Sequence, residues 1–256
     1  MSELKWLNAA DGPAALPDPT EALTEPNGLL AAGGALAPEW LLESYRRGIF
    51  PWFEQGQPIL WWSPEPRTIL RPASLRISRS LRKTLRQRRF HVTADRRFGA
   101  VISACAAPRR YTDSTWITPD MQAAYETLHR LGWAHSFEAW DGPELAGGLY
   151  GIAIGRVFFG ESMFARRTDA SKVAFCHAVA FLESRGTELI DCQMPSAHLT
   201  RLGAESIPRR QFLAALAELT NPAGEPGTLD AAFDTWRTAY VPSATEPDCK
   251  RAERSC

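Results

Sequence analysis

One stretch decides the fold of this chain: residues 135–159, with the sequence HSFEAWDGPELAGGLYGIAIGRVFF. Its apolar and aromatic residues form three runs, which are separated by Asp141-Gly142 and by Gly155-Arg156. Because such Gly-containing pairs between apolar runs are typical of hairpin turns, the stretch predicts three consecutive antiparallel strands. The pattern then predicts a helix over about residues 170–184 and a strand over residues 188–193.

Helices and strands also alternate on the amino-terminal side of this stretch. We predict a strand over residues 67–70, a helix over 78–89, a strand over 90–93, a helix that includes Phe98, and a helix with Thr118 as its N-cap and Pro119 at its first position. Three antiparallel strands, a helix and a further strand are the order expected of a GCN5-related N-acetyltransferase-like core. The sequence therefore predicts an α+β fold, with a mixed, mostly antiparallel sheet flanked by helices.

The composition divides the chain into three parts. Residues 1–62 are dense in Gly and aromatic residues and predict a small amino-terminal lobe; four of the nine Trp lie between Trp40 and Trp62. Residues 63–220 predict the acetyltransferase-like catalytic domain. Residues 221–256 are rich in Pro, Ala and Glu, and we expect them to form a loosely ordered tail.

The overall composition, with 45% hydrophobic and 23% charged residues, is that of a folded soluble protein. No apolar run is long enough to cross a bilayer, and Glu3 and Lys5 interrupt the core of any signal peptide, so we expect a cytoplasmic protein. The five Cys include no C-x-x-C pair, which argues against a disulfide framework or a zinc ribbon. Nucleophile-elbow, H-E-x-x-H and Walker motifs are also absent, so we expect neither a metal nor a cofactor.

The charge of the chain sums to zero but is unevenly distributed. Thirteen Lys or Arg and one Asp lie between Arg67 and Arg110, a local excess of twelve positive charges. In the helix predicted over 78–89, Ser78 is a suitable N-cap, Leu81 and Leu85 mark the buried side, and four cations share another face. These cations are Arg79, Arg82, Lys83 and Arg86. A solvated helix face usually alternates acids with its bases, so we interpret this face as a phosphate-binding surface.

The strand predicted over 188–193 ends in Asp191, Cys192 and Gln193. Because side chains alternate along a strand, we expect Asp191 and Gln193 to lie side by side and Cys192 to point toward the core. A carboxylate next to an amide can orient the amide carbonyl, which can then accept a hydrogen bond from an attacking amine. The alternative is a strand-end Asp and Gln that cap the next turn.

Seven short motifs stand in order along most of the chain. They are EPNGLL (25–30), YRRGIFPWF (45–53), WWSP (61–64), TWIT (115–118), GESMF (160–164), ASK (170–172) and IDCQ (190–193). Together they resemble the bacterial leucyl/phenylalanyl-tRNA–protein transferase family. The resemblance implies transfer of Leu or Phe from its tRNA to proteins that begin with Arg or Lys, which marks those proteins for degradation by the N-end rule. Two positions depart from the family pattern: Ser196 stands where an Asn is usual, and Phe159 where a smaller residue is common.

On this basis we assign a role to each candidate site residue. Asp191 and Gln193 are the catalytic candidates, with Asp191 polarising Gln193, and Glu161 binds the cationic acceptor residue unless it pairs with Arg166 or Arg167. The candidates for the apolar pocket that holds Leu or Phe are Leu149, Phe158, Met163 and Phe175. The candidates for stacking on the terminal adenosine are Tyr45, Trp52 and Trp116. The basic helix face would bind the tRNA, and no membrane partner is expected.

Two other classes of function remain open. The first is a coenzyme A-dependent N-acetyltransferase on the same fold. Residues 165–169 (ARRTD) argue against it, because they lack the Gly pair that lets backbone amides cradle a pyrophosphate. The second is a non-catalytic RNA-binding module, which leaves Asp191, Gln193 and Glu161 without a role.

Overall fold

A computed structural model of the chain describes residues 4–107, 115–221 and 226–239. Within these ranges the strands form two separate sheets. The smaller sheet has four strands, which are β1 (Lys5–Leu7), β2 (Leu29–Gly33), β3 (Phe50–Pro51) and β4 (Leu60–Trp62). Their order is β1-β2-β4-β3, and the first pair is parallel. Helix α1 (Pro38–Arg46) connects β2 to β3.

The larger sheet has seven strands. They are β5 (Arg67–Leu70), β6 (His91–Ala94), β7 (Ala134–Asp141), β8 (Glu144–Ile154), β9 (Val157–Ala165), β10 (Leu189–Gln193) and β11 (Glu205–Ile207). Their order is β11-β5-β10-β9-β8-β7-β6, and every neighbouring pair is antiparallel except β9 and β10, which are parallel. The predicted α+β class, with a mixed and mostly antiparallel sheet flanked by helices, is therefore confirmed.

In the described part of the chain, the helices after α1 are α2 (Arg79–Gln87), α3 (Phe98–Ala106), α4 (Pro119–Arg130), α5 (Ala170–Ser184), α6 (Ala197–Arg201), α7 (Arg209–Leu219) and α8 (Asp230–Ala239). The predicted starts of α2 and α4 are confirmed by their caps. Ser78 accepts a hydrogen bond from the backbone N–H of Leu81 at 3.2 Å, and Thr118 accepts one from that of Met121 at 3.2 Å. Pro119 occupies the first turn of α4, where its missing N–H costs nothing.

Helices cover both faces of the larger sheet and divide its core into two layers. One layer contains Val101 of α3 and Met121 of α4. The other contains Leu81 of α2, Phe181 of α5 and Phe233 of α8. Strands β7 and β8 lie between these layers, so most of their side chains are buried on both sides of the sheet.

Two parts of the chain differ from the sequence prediction. Strand β9 continues past Phe159 to Ala165, because the long strand β8 offers it hydrogen-bonding partners as far as Gly147. The expectation of a loosely ordered tail is wrong for residues 226–239. Helix α8 packs there against the sheet, since Phe233 is fully buried and lies 5.7 Å, between ring centroids, from Phe137. Residues 222–225 and 240–256 of the predicted tail lie outside the described residues.

We predict that the substitution Phe233→Ala lowers the free energy of unfolding by about 3–5 kcal/mol, because it empties a fully enclosed aromatic site. The matched control is Leu131→Ala, whose side chain is 49% exposed and whose loss should change stability by no more than about 0.5 kcal/mol. Urea denaturation followed by far-UV circular dichroism measures both. Equal effects of the two substitutions would show that α8 adds nothing to the core.

Candidate active site

The main cavity lies where β9 and β10 diverge. The two strands pair only from Leu189 opposite Val157 to Asp191 opposite Phe159, and β9 then continues without β10 beside it. The gap opens into a cavity of about 540 Å³, within the range of small-molecule binding sites. Apolar side chains form most of its wall, and the polar side chains that line it include Glu161, Gln193, Ser196 and His198.

Glu161 owes its position to a β-bulge in β9. Tyr150 pairs with Ser162, whereas the next residue of β8, Gly151, pairs with Gly160, so Glu161 is the extra residue. A bulge re-aims the side chain of the extra residue, and here that side chain lines the cavity. Gly151 permits this arrangement, because a Cβ at its position would lie 2.2 Å from the carbonyl oxygen of Phe159.

The carboxylate of Glu161 has one hydrogen-bonded oxygen and one unpartnered oxygen. The hydroxyl of Tyr125 donates to Oε2 at 2.8 Å, and Tyr45 is hydrogen-bonded in turn to the hydroxyl of Tyr125. The other oxygen, Oε1, is buried and has no partner among the described residues. Burial raises the pKa of Glu161 to about 7, with the nearby Asp191 adding to the rise, while the two tyrosine hydroxyls and Arg67 act in the opposite direction.

Glu161 does not form the alternative ion pair with Arg166 or Arg167. Arg167 pairs instead with Glu144 at 3.0 Å, and Arg166 donates to the carbonyl oxygen of Leu145. The described residues therefore provide no cation for Glu161 within salt-bridge distance. A buried carboxylate of this kind favours a cationic ligand.

A second bulge, in β10, changes the predicted arrangement of the D-C-Q motif. Asp191 pairs with Ile69 and Gln193 pairs with the adjacent Thr68, so Cys192 is the extra residue. The expectation that Asp191 and Gln193 lie side by side on one strand face, with Cys192 opposite, is therefore wrong, because the extra residue reverses the alternation. Cys192 and Gln193 both line the cavity.

Asp191 contacts Gln193 through the backbone and not through the side-chain amide. Its Oδ1 accepts a hydrogen bond from the backbone N–H of Gln193 at 3.0 Å. This contact holds Gln193 in a left-handed conformation, with φ of 54°, which is uncommon for a residue other than Gly. The side-chain Nε2 of Gln193 is buried and has no hydrogen-bond partner in the part of the chain that the structure describes.

Asp191 is itself fixed by Arg67, which the sequence analysis did not select. The Nε and Nη2 atoms of Arg67 donate to the two carboxylate oxygens of Asp191 at 2.8 and 2.6 Å, and both side chains are fully buried. The guanidinium lies between the rings of Phe50 and Phe212, at 4.8 and 4.6 Å from their centroids. Arg67 therefore connects the strand that bears the motif to the amino-terminal sheet and to α7.

Most of the candidate binding residues meet at the cavity. Leu149, Met163 and Phe175 line it, as do Trp52 and Trp116. Trp52 is 45% exposed, so one of its faces is accessible to a ligand.

Two of the candidates do not reach the cavity. Tyr45 is fully buried and packs against Phe159 with 5.1 Å between ring centroids, so it cannot stack on an adenosine. Its hydroxyl supports Tyr125 instead. Phe158 is also wrong as a pocket residue, because it lies in the core, 6.2 Å from the ring of Phe137.

The basic face of α2 is present as predicted. Leu81 and Leu85 are buried, Arg79, Lys83 and Arg86 are exposed, and Arg82 is half-buried. Within the described ranges, none of these four cations has an acidic side chain at salt-bridge distance. Thr84 of the same helix contacts Asp169, which stands at the start of α5, with 3.3 Å between Oγ1 and Oδ2.

Several site residues were missed because no local signal marks them. Tyr125 lies on a helix face that reads as ordinary core, and Tyr150 lies within an apolar strand. His198 lines the cavity, and its pKa is lowered by burial and by Lys172 and Arg201. Ser196, one of the two departures from the family pattern, caps α6 by accepting from the N–H of Leu199 at 3.2 Å.

The chemistry of the site is that of alignment and polarisation. Burial raises the pKa of the Cys192 thiol well above its usual range, which keeps it protonated and a poor nucleophile. Across residues 4–107, 115–221 and 226–239, no cluster of three or more His, Cys, Asp or Glu is arranged to hold a metal ion. The same residues contain no helix that is both long and apolar enough to cross a bilayer. Beside an apolar wall, the carboxylate of Glu161 and the amide of Gln193 therefore present polar atoms that a ligand can bind.

Comparisons with known proteins identify the family to which the chain belongs. A family model described as "Leucyl/phenylalanyl-tRNA protein transferase" matches residues 69–217, and the model of that family's N-terminal domain matches residues 34–65. A leucyl/phenylalanyl-tRNA–protein transferase from Azoarcus sp. (strain BH72) is 57% identical over 235 residues, which cover 90% of this chain and 99% of that protein. The protein of the same name from Pseudomonas aeruginosa is 58% identical, with 82% and 92% covered.

The chain therefore belongs to the leucyl/phenylalanyl-tRNA–protein transferase family, and it is an enzyme. Among solved structures, a GCN5-related N-acetyltransferase from Kribbella flavida aligns with a TM-score of 0.34 and 14% identity, over 66% of this chain and 60% of that one. The family assignment does not depend on that distant likeness.

We predict that Arg67→Met and Asp191→Leu each lower the free energy of unfolding by about 3–5 kcal/mol, because each leaves one buried charge without its partner. The double variant should recover most of this loss, since it buries no charge. Arg89→Met is the matched control: its pair with Asp141 is solvent-exposed and should contribute no more than about 1 kcal/mol. Single variants as stable as this control would contradict the structural role of the pair.

Proposed function

We propose that this enzyme transfers Leu or Phe from aminoacyl-tRNA to the α-amino group of proteins whose first residue is Arg or Lys. Family membership supports aminoacyl transfer from tRNA to a protein. The observation that carries the acceptor assignment is the unpartnered Oε1 of Glu161 in the cavity wall. Because charged tRNA is the donor, we place the reaction in the cytoplasm, where the added residue marks the acceptor for degradation.

Glu161 recognises the cationic side chain of the acceptor. With a pKa of about 7, the carboxylate is poorly stabilised by the residues around it. A guanidinium or ammonium beside Oε1 offsets the cost of burial and favours the ionised form. Tyr125 holds the other oxygen, so the orientation of the carboxylate is fixed before the acceptor binds.

The apolar wall, the exposed indole of Trp52 and the half-buried indole of Trp116 receive the donor. Leu149, Met163 and Phe175 enclose a Leu or Phe side chain, which explains why one pocket accepts both residues. Trp52 and Trp116 stand where the terminal adenosine can stack, because both line the same cavity.

The chemical step needs no further activation of the donor. The aminoacyl ester is already reactive, so the neutral α-amine attacks the ester carbonyl, an amide C–N bond forms and the C–O bond to the 3′ oxygen breaks. The proton leaves the amine and ends on that 3′ oxygen through the substrate itself. Gln193 accepts a hydrogen bond from the amine through Oε1 of its amide, while the unpartnered Nε2 donates to the carbonyl oxygen as it gains charge.

Backbone hydrogen bonding argues against the coenzyme A alternative. The N–H groups of Arg166 and Arg167 donate to the carbonyl oxygen of Ala146 at 2.7 and 3.2 Å, so they are not free to bind a pyrophosphate. Asp169 places a carboxylate at the start of α5, where it pairs with Lys172 at 2.7 Å. The non-catalytic RNA-binding alternative is excluded by family membership.

We expect purified enzyme to transfer Leu from Leu-tRNA to a peptide that begins with Arg. The variant Glu161→Gln should raise the KM for that peptide by roughly 10- to 150-fold, the range of about 1.5–3 kcal/mol for a hydrogen bond to a charged group. The KM for Leu-tRNA should stay unchanged. Glu144→Gln, at the surface, is the control. Lack of transfer by the wild-type enzyme would refute the function, and an unchanged peptide KM would refute only the role of Glu161.

We also predict that charge reversal at four positions lowers the affinity for tRNA and makes that affinity less dependent on salt. The positions are Arg79, Arg82, Lys83 and Arg86. Each phosphate contact that is lost should lower the slope of log affinity against log salt by about 0.7 to 0.9. Filter binding of Leu-tRNA between low and moderate salt measures the slope. A slope equal to that of the wild-type enzyme would identify the basic face of α2 as a solvated surface.

A further inference from the structure

A second cavity, of about 420 Å³, lies at the far edge of the larger sheet. It is bounded by β6, by the end of β7 and its turn, and by α8. Its side chains are basic or aromatic except for Thr93 and Asp234; the lining residues are His91, Thr93, Arg96, Arg97, Trp140, Gly142, Asp234 and Arg237. Asp234 and Arg237, which α8 contributes, lie beyond residues 69–217, which the family model matches, whereas the other lining residues lie within that range.

The acidic groups at this edge satisfy only one of its three arginines. Asp234 pairs with Arg96 at 2.6 Å, and Asp230 lies 4.0 Å from the same guanidinium. Arg97 and Arg237 have no acidic side chain at salt-bridge distance among the described residues. The Nε of Arg237 is moreover buried without a hydrogen-bond acceptor. The cavity therefore holds two surplus positive charges and an unused donor, which fit an anionic ligand.

The lowered pKa of His91 is consistent with an excess of positive charge in this cavity. The pKa of His91 is lowered by partial burial and by the positive charge of Arg237, while Asp234 acts weakly in the opposite direction. A neutral imidazole remains available as a hydrogen-bond partner for a ligand and adds no charge of its own.

The residues that line this cavity and those that line the main cavity lie toward the same end of the sheet. β7 and β9 both end there, and β6 begins there, since His91 pairs with Trp140. Three strand spacings separate β9 from β6, so the two cavities are roughly 15 to 20 Å apart. Helix α2 leads directly into β6, and its Thr84 contacts the start of α5, which follows β9. The cations of α2 therefore lie at the same end of the molecule as both cavities.

We propose that the cavity between β6, the β7–β8 turn and α8 binds phosphodiester groups of the tRNA donor, with Arg97 and Arg237 as the ligands. The proposal rests on the function stated above: an RNA whose 3′ end enters the main cavity carries its next phosphates outward across this end of the sheet. Arg97 and Arg237 thus extend the surface formed by α2. Such contacts fix the position of the tRNA body without reading its sequence.

The test is the double variant Arg97→Gln/Arg237→Gln. It should lower the affinity for Leu-tRNA and reduce the salt slope by about 0.7 to 0.9 for each contact removed. Transfer from a minimal donor, a leucylated 3′-terminal trinucleotide, should stay at the wild-type rate, because that donor cannot span the distance between the cavities. Arg156→Gln is the matched control, since Arg156 lies in the turn between β8 and β9 at the opposite end of the sheet.

The outcomes separate the proposal from the function on which it rests. An unchanged affinity and salt slope would overturn the proposal, as would an equal loss of transfer from Leu-tRNA and from the trinucleotide, which would point to a general effect on the fold. If the double variant unfolds at a lower temperature, Arg97→Gln alone decides the question, because Arg97 is exposed. No transfer by the wild-type enzyme from either donor would instead refute the proposed function.

Discussion

The buried ion pair between Arg67 and Asp191 is the constraint on which the site depends. Transferring both charges from water costs several kcal/mol each, and the bidentate contact, at 2.8 and 2.6 Å, offsets that cost only while the geometry is kept. The rings of Phe50 and Phe212 hold the guanidinium from both sides. One side chain thus links the smaller sheet, β5, β10 and α7. A displacement of any of these elements would expose or separate the pair.

The pair positions Gln193 through the backbone. Asp191 Oδ1 accepts the N–H of Gln193 and holds that residue at positive φ, in a bulge that directs its amide into the cavity. A second bulge, across the gap, directs Glu161 into the same space. The cost of two bulges and of polar atoms without partners is balanced by the packing of the two core layers. The cavity therefore presents polar groups that substrates can satisfy.

Local signals in the sequence predicted much of the fold. Caps at Ser78 and Thr118, Gly-containing turns and apolar runs identified most elements, because these depend on neighbouring residues. The bulges were not predictable, since each depends on the register of a partner strand. Arg67 was missed because it lies 124 residues from Asp191 and within a basic region, where it resembled a surface cation. Tyr45 was misassigned for a related reason: burial by distant residues decides whether an aromatic ring can stack on a ligand.

We propose that Glu161, whose Oε1 has no partner among the described residues, receives the charge of the acceptor. Isothermal titration of an Arg-peptide at pH 7, in buffers of different ionisation enthalpy, counts the protons released on binding. A carboxyl with a pKa of about 7 is about half protonated at that pH, so binding of a cation should release about half a proton more from the wild-type enzyme than from Glu161→Gln. Equal proton release from the two proteins would contradict the role of Glu161 in binding the acceptor's cation.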